Sequence, residues 1–304
     1  MTIILQTVID AVSLGSIYAL TALGIGLIFG ILRLINFAHG DFITIGAYAL
    51  IVPSAAVVAT PSLGAWPVYL MVPAVVAVVV VVALATERVA FRPLRGANMA
   101  SLLVGSFAVS YILQHVILLV YSGRPKAVDV GMNLAESIHF AGLRVPAIEL
   151  VAIVAALILL VGLALFLRKT TYGIQMRAAS EDFQMARFLG VRANIVIALA
   201  FATSGLLAAV VSLLLITQSG VLSVQMGLGV VMVAFVATVI GGMGSLVGAV
   251  VGGFVVGCTS GILQVVLPDD LKQMREAFVF GVVILILLVR PQGLVVTGAV
   301  QERV

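Results

Sequence analysis

The chain has 304 residues, of which 63% are hydrophobic and 9% charged, with a formal net charge of +4. Soluble domains carry about 45–50% apolar and about 25% charged residues. The 16 Lys and Arg and 12 Asp and Glu here are too few to wet a water-soluble surface, which excludes a soluble enzyme or a nucleic-acid binder. At about 20 apolar residues per crossing the length allows roughly eight to ten spans, so the predicted fold is an all-α polytopic transmembrane bundle forming a single domain over 1–304.

Apolar runs bounded by charges or Pro/Gly clusters predict spans at 3–30, 42–59, 67–86, 99–121, 147–168, 194–217, 228–241, 245–267 and 277–290. The first has no Lys or Arg ahead of it and no clear cleavage site, so it is expected to stay as a span. The run at 228–241 is short, and Gly242-Met243-Gly244-Ser245 interrupts it like a turn or re-entrant bend. A second polar break runs from Asn36 to Asp41, and interruptions at corresponding places in two halves point to transporter repeats.

Basic residues set the expected orientation. Arg33, Arg88, Arg92, Arg95, Arg168, Lys169, Arg177, Arg187, Arg192, Arg290 and Arg303 all fall on one side of the alternation, which the positive-inside rule makes cytoplasmic. The N-terminus is then outside and the C-terminus inside. The longest outer segment, 122–146, carries Ile138, Phe140, Leu143 and Val145 around Ala141-Gly142, which predicts a short hairpin. A receptor could dock there, or the hairpin merely caps the bundle.

Catalytic and cofactor motifs are absent. There is no G-x-x-x-x-G-K-[ST] phosphate loop, no G-x-S-x-G elbow and no metal spacing among His39, His115 and His139. The lone Cys258 excludes an internal disulfide and a multi-cysteine site. Glycine ladders are the densest pattern: Gly26 with Gly30, then Gly244, Gly248 and Gly252, then Gly253, Gly257 and Gly261. Small residues every four positions let helix backbones approach closely.

The inner loop 168–192 is the most informative segment. Ser180 is predicted as an N-cap with Glu181 and Asp182 in the first helical turn, and Gly190 as the stop. The short helix between them carries Phe183, Met185, Ala186, Phe188 and Leu189, which need a cover on a water-facing loop. That cover is either the lipid interface or a groove in a soluble partner, and the acidic start of the helix suits anionic lipid poorly.

Polar groups inside spans face the bundle interior because lipid cannot solvate them. Candidates for a translocation path on that ground are Asn36, His39, Asp41, Thr44, Ser106, Ser110, Gln114, Thr203, Ser204 and Thr238. His39 with Asp41 reads as an inner gate, or Asn36, His39 and Asp41 cap a broken helix. An ion-driven carrier or channel is the rival class, but it would want buried charged relays, and only Asp10 and Asp41 lie near span interiors.

The loop residues Thr170 or Thr171, Gly173, Arg177, Ala178, Asp182, Ala186 and Gly190-Val191 resemble the coupling segment of the permease subunits of branched-chain amino-acid ATP-binding-cassette importers. Three further stretches match the LivH type of that family. They are Gly24-x-Gly26 to Gly30 followed by Ile35 to Asp41 and Gly46-Ala47-Tyr48, then Gly241 to Ala249, then Arg290-Pro291-Gln292-Gly293-Leu294. The similarity runs from about residue 5 to 295. It implies a bacterial inner-membrane protein that pairs with a second permease, two cytoplasmic ATPase subunits and an extracytoplasmic binding protein. ATP and Mg would be bound by the ATPase partners, with no cofactor in this chain. Glu181, Asp182, Phe183, Ala186, Phe188, Leu189 and Gly190 would form the coupling helix. Substrates in the family include leucine, isoleucine and valine, and close relatives move other amino acids or urea.

Overall fold

The structure is a computed structural model that describes residues 2–128, 137–140 and 143–295. Its helices are α1 (Thr2–Leu32), α2 (His39–Tyr48), α3 (Val68–Thr86), α4 (Met99–Tyr121), α5 (Ala147–Lys169), α6 (Thr171–Glu181), α7 (Phe183–Phe188), α8 (Ala193–Ser219), α9 (Met226–Gly241), α10 (Leu246–Val266) and α11 (Arg275–Val289). Short 3-10 turns lie at Leu63–Ala65 and Asp269–Met274, and four short strands are described: β1 (Lys126–Ala127), β2 (Ser137–Phe140), β3 (Leu143–Pro146) and β4 (Val221–Leu222). Strand β1 pairs with β4, and β2 pairs with β3 in the predicted hairpin register, Ile138 opposite Val145 and Phe140 opposite Leu143. The hairpin's tip, residues 129–136 and the tail with Arg303 lie outside the described residues.

Six helices, α1, α3, α4, α5, α8 and α10, are long and apolar enough to cross a membrane. The other three predicted spans are realised differently. Run 42–59 becomes the ten-residue α2 followed by irregular chain. Pro53 ends the helical option there, because it lacks an N–H and disfavours helix in the residue before it. The freed carbonyls find donors elsewhere: buried Lys126 gives its Nζ to the carbonyls of Ser54 and Ala56, both at 2.6 Å. Run 228–241 becomes the 16-residue α9, and the last run the 15-residue α11.

The centre of the bundle is α1. At 31 residues it is about 46 Å long, beyond the ~30 Å of hydrocarbon. It has no polar face, and a helix apolar all round belongs in the interior. It packs against α5, α8, α9 and α10. The contact with α10 is a glycine seam: a Cβ on Gly253, Gly257 or Gly261 would strike α1 at Ala19, Gly15 or Ala11. The opposite side of α10 does the same with α9, where Gly248 and Gly252 lie on the backbone of Gly241 and Ala237. Gly244 departs from the predicted ladder. Helix α10 begins only at Leu246, and Gly242 (φ +104) and Gly244 (φ +95) form the preceding turn, a conformation L-residues avoid. Gly26 packs on Ala249, whereas Gly30 lies in ordinary contact with Ser180 and the Gly244 carbonyl.

Arg33, the loop after α3, the 168–192 loop and the chain after α11 gather at one end of the bundle, called here the basic end. Arg33 lies beside Gly244, Arg95 hydrogen-bonds Asn194 at the start of α8, and Leu294 and Val295 donate backbone N–H groups to the carbonyls of Ile240 and Gly241.

Candidate functional site

Two groups of residues stand out. The first surrounds α2, which begins inside the bundle rather than at its surface. The segment 33–38 folds back from the end of α1 far enough for the His39 ring to lie against Gly24, where only a glycine leaves room for it. On its other side His39 Nδ1 and Ser204 Oγ of α8 form a hydrogen bond of 2.9 Å. The carboxyl of Asp41 faces Ser110 and Gln114 of α4, and Gln114 Nε2 donates to Ser110 Oγ at 3.1 Å. Ser106 Oγ donates to the Ile35 carbonyl at 3.1 Å, and Phe37 stacks on Phe107 with ring centroids 4.3 Å apart. Thr44 Oγ1 accepts from the N–H of Gly227 at 3.2 Å, where the backbones of Gly40 and Gly227 touch.

Eight of the ten proposed path residues therefore meet around one half-helix. Thr203 does not: its hydroxyl is turned back onto the carbonyls of Leu199 and Ala200. Thr238 lies apart, in a small recess at the basic end, lined also by Gly26, Phe29, Ile35, Phe235 and Met243. Asn36, His39, Asp41, Thr44, Ser106 and Ser204 are buried, so they line no open passage through the packed chain. They do not cap α2 either. The first N–H groups of that helix are taken by the backbone carbonyls of Asn36, Phe37 and Ala38. Both amide atoms of Asn36, His39 Nε2 and Asp41 Oδ2 find no partner among the described residues. A buried polar group left without a partner costs about 1–3 kcal/mol.

The second group is the 168–192 loop. Thr170 caps α6 by accepting from the N–H of Gly173 at 3.0 Å. Helix α6 then runs to Glu181, which corrects the predicted cap: Ser180 sits in its last turn and donates to the Arg177 carbonyl. The N-cap of α7 is Asp182, whose Oδ1 accepts from the N–H groups of Gln184 and Met185, both at 2.9 Å. An ionised carboxylate does this better than a hydroxyl because it also meets the positive end of the helix. Gly190 (φ +87) closes α7: its N–H reaches the Arg187 carbonyl and that of Val191 the Ala186 carbonyl, each at 3.0 Å. This 5→2 and 6→1 pair is the Schellman stop.

The apolar side chains of α7 divide into two faces. Ala186 is buried and Phe183 packs on the core, so these two hold the helix to the bundle. Met185, Phe188 and Leu189 point away, the last two 85% and 84% exposed. The loop is braced from beneath by Arg95, which joins Asn194 to the buried carboxylate of Glu87. Glu87–Phe91 is a π-helical turn ending α3. Sequence reasoning missed that brace and buried Lys126, since a charge on a short connection normally reads as solvated.

The chain is thus a bundle with six helices long and apolar enough to cross a membrane and with a half-helix, α2, that begins in its interior. The family model of the branched-chain amino acid transport system permease component matches residues 7–288, and the chain belongs to that family. It is 34% identical over 297 residues to the high-affinity branched-chain amino acid transport system permease protein BraD of Pseudomonas aeruginosa, covering 95% of each chain. It is 33% identical over 298 residues to the permease protein LivH of Escherichia coli K12, covering 95% of this chain and 94% of that one. The LivH of Salmonella typhimurium is 32% identical over the same length. No solved structure matches the chain.

Proposed function

We propose that the chain is the membrane permease subunit of an ATP-binding-cassette importer for branched-chain amino acids, forming one transmembrane domain over 1–304. It sits in a bacterial inner membrane with the N-terminus outside and the basic end in the cytoplasm. It works with a second, similar permease, two ATPase subunits that bind ATP and Mg, and an extracytoplasmic binding protein met by the 122–146 loop. The observation that carries this reading is α7: a helix capped at both ends and anchored by Phe183 and Ala186, which nevertheless presents Phe188 and Leu189 to water. Burying two such side chains in a partner's groove is worth about 1.5–3 kcal/mol each, enough for a firm contact with no chemistry of its own. Glu181 ends the preceding helix, Asp182 and Gly190 cap α7 at its two ends, and Phe188 and Leu189 make the contact. The polar residues around α2 support the solute path from within the bundle without lining an open channel in this packed arrangement.

The test is purification of the tagged chain from its native membrane. ATPase subunits should accompany it, and uptake of leucine, isoleucine or valine should stop on ATP depletion while surviving an uncoupler. Recovery of this chain alone, active when reconstituted and stopped by the uncoupler, would establish the ion-driven carrier instead.

A further inference from the structure

The buried polar side chains around α2 leave no passage through this chain, which raises the question of where a solute would run. Helix α4 answers it. Its surface is mostly apolar and open: Val104, Ile112, Val116 and Leu119 are all exposed, as suits a helix facing lipid tails. On the same helix Tyr111 is 64% exposed and His115 is exposed as well. At 1.5 Å per residue, Tyr111 lies about 18 Å and His115 about 24 Å from the Met99 end of a helix about 34 Å long. Both are therefore inside the hydrocarbon. Among the described residues they are the exposed polar side chains in the middle of the lipid-facing helices α3, α4 and α5. Polar groups at that depth face a protein interior or a water-filled cavity, not lipid.

The geometry of the pair is specific. The two rings lie 3.9 Å apart, and His115 Nδ1 is 2.8 Å from the Tyr111 carbonyl. A carbonyl can only accept, so Nδ1 carries the hydrogen, and in the neutral ring Nε2 keeps a lone pair. Nε2 and the Tyr111 hydroxyl find no partner among the described residues. One turn nearer the basic end, in the same column of α4, is Phe107, which stacks on Phe37. Phe37 in turn lies 5.8 Å from Phe235, which lines the recess at the basic end with Thr238. The column thus runs from two polar heads through three aromatic rings to a recess. Ser110 and Gln114, which face Asp41, are the immediate neighbours of Tyr111 and His115 in sequence and lie about 100° further round the same helix.

We propose that Tyr111 and His115 are solute-contacting residues of the transport path. That path would run along the outer face of α4, closed on its other side by the second permease, and end at the Phe235–Thr238 recess. The solute class is a small zwitterion with an apolar side chain. Its ammonium group donates to His115 Nε2, its carboxylate accepts from the Tyr111 hydroxyl, and its side chain lies against exposed Phe107, which buried Phe37 backs from the core. This rests on the permease reading above.

The experiment uses the intact complex in membranes, with Cys258→Ala as background and single cysteines at Tyr111, His115, Ile112 and Leu119. ATP-dependent uptake of leucine is recorded first for the Cys258→Ala background, which tests the permease reading separately. A permanently charged, membrane-impermeant methanethiosulfonate is then added to each variant. The expected result is modification at positions 111 and 115 at least tenfold faster than at 112 and 119, with uptake at least fivefold below the background in the labelled Tyr111→Cys and His115→Cys variants and unchanged in the other two. Equal, negligible modification at all four positions would place the Tyr111–His115 face against lipid or in a dry seam and overturn the assignment. Fast modification with uptake unchanged would overturn it equally. Loss of ATP dependence with the labelling pattern intact would refute the importer reading and leave the path assignment standing.

Discussion

Replacing Phe188 and Leu189 at the end of α7 together by Asp probes the proposed contact with the ATPase most directly. Both side chains are already more than four-fifths exposed, so the isolated subunit has little to lose, and surface changes of this kind normally stay within about ±0.5 kcal/mol. The complex loses much more. Two large apolar side chains passing from water into a groove contribute about 3–6 kcal/mol together, which corresponds to roughly a hundred- to ten-thousand-fold in affinity. The double variant should reach the membrane at normal abundance, fail to retain the ATPase subunits on purification, and take up leucine at less than a tenth of the normal rate. The pair changed to Ala, which removes area without adding charge, should fall in between. Normal uptake by the double Asp variant at normal abundance would refute the coupling role of α7.

Three further outcomes follow from the structure. Asp182→Ala removes the cap on α7, at a cost of about 0.5–2 kcal/mol, and should lower uptake several-fold, while Asp182→Asn, which keeps an accepting oxygen, should restore most of it. Gly257→Leu drives a side chain into the backbone of α1 at Gly15; overpacking of this kind costs about 1–3 kcal/mol or more, read as lower membrane abundance and a lower unfolding midpoint in detergent. Arg95→Met strands the buried carboxylate of Glu87 and should destabilise by up to about 3–5 kcal/mol, the range for half of a buried pair. Adding Glu87→Gln should recover much of that loss, and a double variant no more stable than Arg95→Met alone would show that the pair is not the cause.

The fold class was legible in the sequence because lipid imposes it: a chain this apolar has to form helices whose backbone groups satisfy one another. The hairpin around Ala141-Gly142 and the stop at Gly190 were legible for local reasons, alternation in one case and a left-handed residue in the other. The cap of α7 was not. Ser180, Glu181 and Asp182 all suit an N-terminus, and the choice among them depends on how far α6 extends before the chain turns. The run 42–59 reads as a span by composition, yet Pro53 and the donors on Lys126 turn its second half into irregular chain.

The sequence by itself determined that this chain lives in a membrane, that it breaks at Gly242 to Ser245, and which family it joins, since those follow from composition, short-range chemistry and ordered motifs. The tertiary structure alone decided which polar residues meet and which face the outside. Asp41 with Ser110 and Gln114, and His39 with Ser204, are partners brought together from distant parts of the chain. Tyr111 and His115 share their helix with Ser110 and Gln114, yet the latter pair turns inward and the former outward. Periodicity along one helix cannot distinguish those faces when nearly every other residue is apolar. Only the position of α2 and the segment before it behind α4 does so, because a neighbour's backbone, not the helix's own sequence, determines which side is covered.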